Sequence, residues 1–404
     1  MPEISVLIPI YNVESYLEEC LDSLRAQTFR DFEAICINDG STDGSRDIIQ
    51  KYLDLDSRFK VIDKPNSGYG ASMNLGLEQA TGTYLAILES DDKFEPNALE
   101  FLYQTATQHE AEVVKADFWL YWSKPEEKQE VFGIVDGLPM NQLINPETEQ
   151  EIFYRKPSIW SALYKRSFLE ENEINFLETP GASYQDAGFN FKVWASASRV
   201  VLLKEPILYY RQDNEQSSVN SPSKVFCVCD EYAEMERYLK ARPEKRKILE
   251  SVKERMKFDS YLWNYDRLND ELKESFLKVA AEELKNDISS GDLDWSLFEP
   301  WSEADLRAMI ESPEAFQESR GENLKPGKLN TFKRYYRLGG FPLIVKLLRY
   351  KQEHTQRHDE DHSSVEKKSP DQRRNADSKD GRQIDNNSNI DSQAARTANK
   401  TGGE

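Results

Sequence analysis

Cysteine is scarce in this sequence, and positive charge is well outnumbered by negative. Four cysteines among 404 residues, Cys20, Cys36, Cys227 and Cys229, are too few for a disulfide framework. Cys20 and Cys36 fall in apolar patterns suited to reduced core thiols, and the Cys-x-Cys at 227 and 229 lacks the second pair of a zinc site, which favours helix packing. Lys and Arg number 52 against 72 Asp and Glu, a formal net charge of −20. That balance argues against nucleic acid as the main partner, because such binding rests on phosphate neutralisation by basic side chains. No apolar run reaches the length of a membrane span. Met1-Pro2-Glu3 leads straight into a strand-like stretch, so no secretory leader is expected and the reading is cytoplasmic. A Gly-x-x-x-x-Gly-Lys-Ser/Thr loop and a Gly-x-Gly-x-x-Gly after the first strand are both missing, which weakens the P-loop and nicotinamide dehydrogenase readings.

What is present is a repeating alternation. Ile4–Ile8, Ala34–Ile37, Lys60–Ile62 and Tyr84–Leu88 are short β-rich runs. Between them, apolar residues recur at helical spacing: Leu17, Cys20, Leu21 and Leu24, then Ile48, Ile49, Tyr52 and Leu53, then Ala71 to Ala80. This βαβα order predicts an α/β fold, doubly wound, with a mostly parallel sheet and helices on both faces, over residues 1–222. From 113 the alternation weakens into aromatic-rich segments (Phe118 to Trp122, Trp160 to Tyr164) and a strand at Val200 to Leu203.

Residues 223–324 read as a helical appended domain. Residues 325–352 form a basic aromatic segment, with eight Lys or Arg and no acidic residue between Lys325 and Lys351. It suits either an anionic membrane surface or a helical hairpin broken at Gly339-Gly340 and Pro342 that packs on the acidic body. Residues 353–404 are polar and poor in aliphatics, and disorder is expected.

In an open α/β sheet, ligands bind beyond the carboxyl ends of the strands. Those ends carry Pro9-Ile10-Tyr11-Asn12, Asn38-Asp39-Gly40-Ser41, Pro65-Asn66-Ser67-Gly68 and Glu89-Ser90-Asp91-Asp92, all expected along one edge. Asp39 to Gly44 is also a plain turn sequence, and Gly68 allows either a loop or close backbone approach to a phosphate. Three carboxylates within four residues at 89–92 repel one another unless a cation, caps or solvent relieve them. A hard divalent ion, Mg2+ or Mn2+, takes one or two carboxylates and completes its shell with phosphate oxygens and water.

Taken together, Ser5-Val6-Leu7-Ile8-Pro9-Ile10-Tyr11-Asn12, Asn38 to Asp43 and Glu89 to Asp92 resemble the family 2 glycosyltransferases over residues 1 to about 220. The resemblance implies a GT-A fold, a UDP-sugar donor and Mn2+ or Mg2+. By the same resemblance, Pro9, Tyr11, Asn12 and Glu14 border the base and ribose, and Asp39 accepts a hydrogen bond from uracil. Asn66 and the stretch Ser67 to Ser72, including Gly68 and Ala71, line the donor pocket. Glu89, Ser90 and Asp91 match the metal motif, with Asp91 the direct ligand, Glu89 standing where the family usually has Asp, and Asp92 near ribose or donor sugar. Asp186, in Ser183-Tyr184-Gln185-Asp186-Ala187-Gly188-Phe189, matches the catalytic base, with Gln185 in place of the usual glutamate. Arg211 to Ser218, with Arg211, Ser217 and Ser218, matches a motif that closes over the diphosphate. Without the resemblance, Asp186 reads as the N-cap of a helix from Ala187.

The implied function is inverting transfer of a hexose, galactose or glucose favoured, to a hydroxyl of a bacterial surface glycan. The acceptor would be a protein O-glycan or a polysaccharide, protein-linked or lipid-linked. A sugar nucleotidyltransferase and a non-catalytic scaffold are the alternatives. The first wants a glycine-rich basic loop near strand one, which this sequence does not have.

Overall fold

The structure, a computed structural model, describes residues 1–179, 181, 183–214, 224–321 and 327–366. The chain divides into two compact units, Met1–Leu293 and Asp294–Glu404. The first opens with β1 (Ile4–Ile10), α1 (Glu14–Arg25), β2 (Phe32–Asn38), α2 (Ser45–Leu55), β3 (Phe59–Asp63), α3 (Tyr69–Gln79) and β4 (Tyr84–Ile87). β1 pairs in parallel with β2 and β4, and β2 with β3. Every residue of β1, β2 and β4 is buried, as strands sandwiched between helical layers must be, so these strands are continuous apolar runs rather than alternating ones. α1 turns Leu17, Cys20, Leu21 and Leu24 inward at the spacing the sequence shows.

The strand order β3-β2-β1-β4 reverses direction at β1. The chain leaves β1 toward β2 on one side, while β4 lies on the other. Such a switch point opens a crevice beyond the carboxyl ends of the two strands, which places Tyr11-Asn12 and Glu89-Ser90-Asp91-Asp92 on its two lips.

Beyond β4 come β5 (Lys93–Phe94), α4 (Ala98–His109), β6 (Val113–Ala116), β7 (Phe118–Trp122), β8 (Lys128–Phe132), β9 (Leu143–Ile144), β10 (Ala162–Lys165), α5 (Arg166–Glu171), α6 (Gln185–Ser196), β11 (Val200–Leu203) and β12 (Leu208–Arg211). They extend the main sheet to eight strands, β3-β2-β1-β4-β10-β6-β11-β9, with β10 antiparallel to both its neighbours. β5, β12, β7 and β8 form a second, four-stranded sheet. The expected mostly parallel sheet is therefore present, and the weak alternation after 113 conceals an antiparallel insertion.

α7 (Cys227–Lys240), α8 (Pro243–Arg267) and α9 (Asp270–Ser290) belong to the first unit; α10 (Pro300–Glu311), α11 (Pro313–Gly321) and α12 (Lys328–Glu366) belong to the second. The helical stretch expected from 223 is thus shared between the two units. α12 breaks at Gly340, whose φ of 62° and ψ of −156° are non-helical, at the point where the sequence places its break. It also runs past residue 352, where disorder was expected to begin. The remainder, 367–404, lies outside the described residues. All four cysteines are free.

One polar cluster ties the opposite edge of the sheet. Ser5 Oγ donates to Glu33 Oε1 at 2.6 Å, as do Thr81 N at 2.8 Å and Thr81 Oγ1 at 2.7 Å, and Lys60 Nζ reaches Oε2 at 2.5 Å. Burial alone would raise the Glu33 carboxyl, but the bonds from Lys60, Ser5 and Thr81 outweigh it and hold the pKa at about 2. A depressed carboxyl contributes stability above its unfolded pKa of about 4.5 and loses it as pH falls toward about 2. Glu33→Gln should therefore cost about 1–3 kcal/mol at pH 7, and the deficit should shrink as chemical denaturation is repeated from pH 4.5 downward. An unchanged deficit at the lowest pH would contradict this account.

Candidate active site

The crevice gathers its carboxylates from two elements far apart in sequence. Glu89, Asp91 and Asp92 follow β4. Asp186 lies in the first turn of α6, whose N-cap is Tyr184 in the left-handed region at φ 61°. The helix starts at Gln185, so Asp186 stands inside the helix rather than at its cap. Its Oδ1 accepts from Ala187 N at 2.9 Å. Burial lifts its pKa to about 6, against the lowering effects of the Ala187 amide and the Lys156 charge, a value suited to a base working near neutrality.

Glu89 is pushed to about 8, chiefly by burial. The hydrogen bond from Tyr69 opposes that shift, and the charges of Asp91 and Asp186 add to it. Tyr69 Oη donates to Glu89 Oε1 at 2.6 Å. Asp92 is raised well above the usual carboxylate range by burial and then by Asp91. Its Oδ1 accepts from Arg211 N at 2.8 Å, while its Oδ2 is buried with no hydrogen-bond partner. Asp91 is half-buried, and its Oδ2 accepts from Asn214 Nδ2 at 2.8 Å. These residues suit a hard cation in charge and donor type, with Asp91 best placed to ligate and Glu89 held back by Tyr69. Among the described residues, the one trio of acidic side chains with oxygens converging within 4.8 Å is elsewhere: Glu236, Glu250 and Glu254. Lys253 sits among these, 2.7 Å from Glu250 and 2.9 Å from Glu254, which makes that trio an ion-pair network.

The donor-side residues interlock. Asn12, at φ 48°, accepts from Thr42 N at 2.7 Å, and Asn12 N donates to Ser41 Oγ at 3.1 Å. Glu14 Oε2 accepts from Gly44 N at 2.5 Å. Pro9 is buried in β1 and Tyr11 is 52% exposed at the lip. Asp39 is buried; it accepts from Ser67 N at 2.8 Å and Gly68 N at 3.0 Å and pairs with Lys64. It therefore shapes the loop that carries exposed Asn66 and Ser67. Ala71 is half-buried, whereas Ser72 and Ser90 are buried. Ser72 Oγ donates to Gly68 O at 2.9 Å and accepts from Lys64 at 3.1 Å, so it braces the pocket wall rather than facing a ligand.

Arg211, assigned with the 211–218 segment to the diphosphate, is engaged within the protein. Its guanidinium is buried, donates to Asp91 O at 2.8 Å, pairs with Glu19 and lies 3.5 Å from Asp213, over the rings of Tyr16 and Tyr121. Those partners engage its donors and make it a clamp between β12 and the end of β4. Ser217 and Ser218 lie outside the described residues.

Gln185 has a local explanation. Its Oε1 accepts from Ser183 N, and its Nε2 donates to Thr179 Oγ1 at 2.8 Å and to Gly181 O at 3.3 Å. A carboxylate cannot donate to Gly181 O. The same segment presses on α3: a Cβ on Gly70 would lie 2.1 Å from Leu177 O, and one on Gly68, at φ 93°, 2.9 Å from Gly181 N.

Residues 5–171 match the sequence profile of glycosyl transferase family 2. GlyG of Streptococcus pneumoniae, a glycosyltransferase, is 30% identical over 221 residues, which cover 52% of this chain and 70% of GlyG. The chain belongs to glycosyl transferase family 2. EpsH of Bacillus subtilis, provisionally described as a glycosyltransferase, is 33% identical over 213 residues, 52% of this chain but only 61% of EpsH. A Staphylococcus aureus TarS fragment, solved with UDP-GlcNAc, superposes with a TM-score of 0.62 over 79% of this chain and 91% of the fragment at 21% identity, which establishes the shared fold.

Lys156, Tyr210 and Glu231 escape motif reading. Lys156 feels Asp186 and Asp92, and desolvation lowers its pKa. Its Nζ sits 4.2 Å from the Tyr210 ring centroid, and Tyr210 stacks on Trp160 at 4.6 Å. The aromatic richness of 118–122 and 160–164 is the one sequence signal for that wall. Glu231, on α7, has no such signal. It is buried with neither carboxylate oxygen hydrogen-bonded, and its Oε2 would lie 2.0 Å from a Cβ on Gly188. Burial, then the Asp186 charge, pushes Glu231 up to about 9. An acid raised in the native state loses stability as pH climbs from its unfolded pKa of about 4.5 toward 9, because only the unfolded chain releases the proton. Glu231→Gln should consequently raise Tm at pH 8 by at least about 2 °C and leave it unchanged at pH 4; equal shifts at both pH values would refute the buried-acid reading.

Proposed function

We propose that the chain is a metal-dependent, inverting hexosyltransferase that moves galactose or glucose from a UDP-sugar to a hydroxyl of a growing bacterial surface glycan. The observation that carries the reading is Asp186: a half-buried carboxylate, raised to about 6, within electrostatic reach of the acidic end of β4. The UDP-GlcNAc bound in the TarS structure supports uridine on the donor side, where Tyr11, Asn12, Asn66 and Ser67 border the crevice.

In this reading Asp91 would hold a Mn2+ or Mg2+ ion, with Glu89 as the second carboxylate. The bound ion supplies charge neutralisation for the departing diphosphate. Asp186 takes the proton of the acceptor hydroxyl as that oxygen bonds to the anomeric carbon, and the bond from the same carbon to the phosphate oxygen breaks, releasing UDP. One in-line displacement inverts the anomer. Lys156 and the Trp160–Tyr210 wall border the acceptor side and limit water around Asp186.

Screening UDP-sugars for metal-dependent hydrolysis, then offering the best donor peptide-linked and lipid-linked acceptors, tests the reading directly. Asp186→Asn should lower transfer by roughly 10²–10⁴-fold while UDP binding persists. Because the base must be ionised, kcat/KM of the parent should rise with pH through about 6. Full transfer by Asp186→Asn would remove Asp186 from the mechanism. Asp91→Asn should abolish the metal dependence of donor hydrolysis; intact hydrolysis without added metal would point to a metal-free enzyme, and no hydrolysis of any UDP-sugar by the parent to the scaffold alternative.

A further inference from the structure

α12 carries an apolar face directed to solvent. Leu329, Phe332 and Tyr336 recur at i, i+3 and i+7 before the break, and Phe341, Val345 and Leu348 at i, i+4 and i+7 after it, all between 44% and 66% exposed. Either set forms a single stripe on a helix. The ring of Phe332 stacks on Tyr336 at 6.1 Å, and Tyr336 meets Phe341 edge-on at 5.5 Å. The aromatic contact therefore crosses the Gly340 break and joins the two stripes into one patch.

The far side of the same helix is already occupied. Arg334 Nη2 makes two 2.7 Å bonds to Asp305 of α10, Lys346 reaches Glu303 at 2.5 Å, and Tyr350 packs edge-on against Trp301 at 5.3 Å. α12 is thus held on α10 by two ion pairs and an aromatic contact, while Leu329, Phe332, Tyr336, Phe341, Val345 and Leu348 stay outward as apolar surface that this packing leaves uncovered. Exposed Lys333, Arg337 and Arg349 border the stripe, where long cationic side chains lay their stems along apolar surface and lift their charges to its rim.

We infer that this face of α12 is a docking surface for an anionic bilayer, lying in the headgroup layer. Charge complementarity selects that occupant. The segment from Lys325 to Lys351 carries eight positive charges and no negative one in a chain of net −20; with Arg334 and Lys346 engaged by Asp305 and Glu303, the remaining excess still attracts anionic lipid and opposes face-to-face pairing with the same basic patch on a second copy. Aromatic side chains flanked by Lys and Arg are the composition of helices that lie in the interface plane. No helix among the described residues is long and apolar enough to cross a membrane, so the contact is parallel to the surface. The inference rests on α12 alone and is independent of the donor and acceptor assigned above.

The experiment is sedimentation of the full chain with phosphatidylcholine vesicles and with vesicles in which a third of the lipid is phosphatidylglycerol. Binding is expected only to the second, and it should weaken with added salt. The double variant Lys333→Glu/Arg349→Glu should reduce partitioning by on the order of tenfold or more, and Phe332→Ser/Phe341→Ser/Leu348→Ser should abolish it. Lys128→Glu, the same charge reversal made on β8, should bind as the parent does, and circular dichroism should show each variant folded. Equal partitioning into both vesicle types, or unchanged binding by both α12 variants, would overturn the inference. So would a lipid-free dimer in sedimentation velocity that the same variants dissociate, with no vesicle binding.

Discussion

Negative charge packed into a half-buried crevice is the constraint around which the first unit is organised. Glu89, Asp91, Asp92 and Asp186 share one electrostatic neighbourhood, and Glu231 lies behind them. They cannot all be ionised there without compensation. The protein answers in three ways. Tyr69 gives Glu89 a donor, Arg211 offers its backbone amide to Asp92 and its side chain to the Asp91 carbonyl, and Lys156 sets a cation between Asp92 and Asp186. What remains uncompensated, Asp92 Oδ2 and the shared proton demand of the cluster, is the part a bound cation would relieve.

That arrangement separates holding from reacting. Residues whose hydrogen bonds are saturated shape the crevice: Asp39 carries the 64–68 loop, Ser72 braces its wall, and Arg211 locks β12 to β4. Residues with spare bonding capacity face into it. Asp186 accepts one short-range bond, from the neighbouring amide, and Asp91 one from Asn214.

The legible part of the sequence was the part governed by periodicity. β1 to β4 and α1 to α3 were readable because buried parallel strands are short apolar runs and their covering helices repeat every three or four residues. The insertion was not, since β10 takes its place between β4 and β6 through pairings with residues distant in the chain, and no local pattern announces an antiparallel strand there. Asp91 could be found from carboxylate crowding after a strand, whereas Asp186 needed the family resemblance. The internal role of Arg211 was not legible for a physical reason: its partner Glu19 lies 192 residues away, and nothing near Arg211 in sequence distinguishes a caged guanidinium from a free one. Gln185 became intelligible only when its amide was seen to accept on one side and donate on the other.

The seam between α3 and the segment before α6 bears on how this enzyme could be altered. Gly68 and Gly70 admit the backbone of 177–181 so closely that any side-chain atom added at either position meets main chain, and Tyr69 N bonds Gly181 O at 2.9 Å across the same line. One flank of that seam shapes where the nucleotide would rest, and the other leads within a few residues to Asp186. In the proposed function, changes made to broaden donor choice would be transmitted as displacement of Asp186, the base. The two properties are mechanically linked, and directed evolution of sugar preference would find more freedom at the Tyr11 and Asn66 lip than along this line.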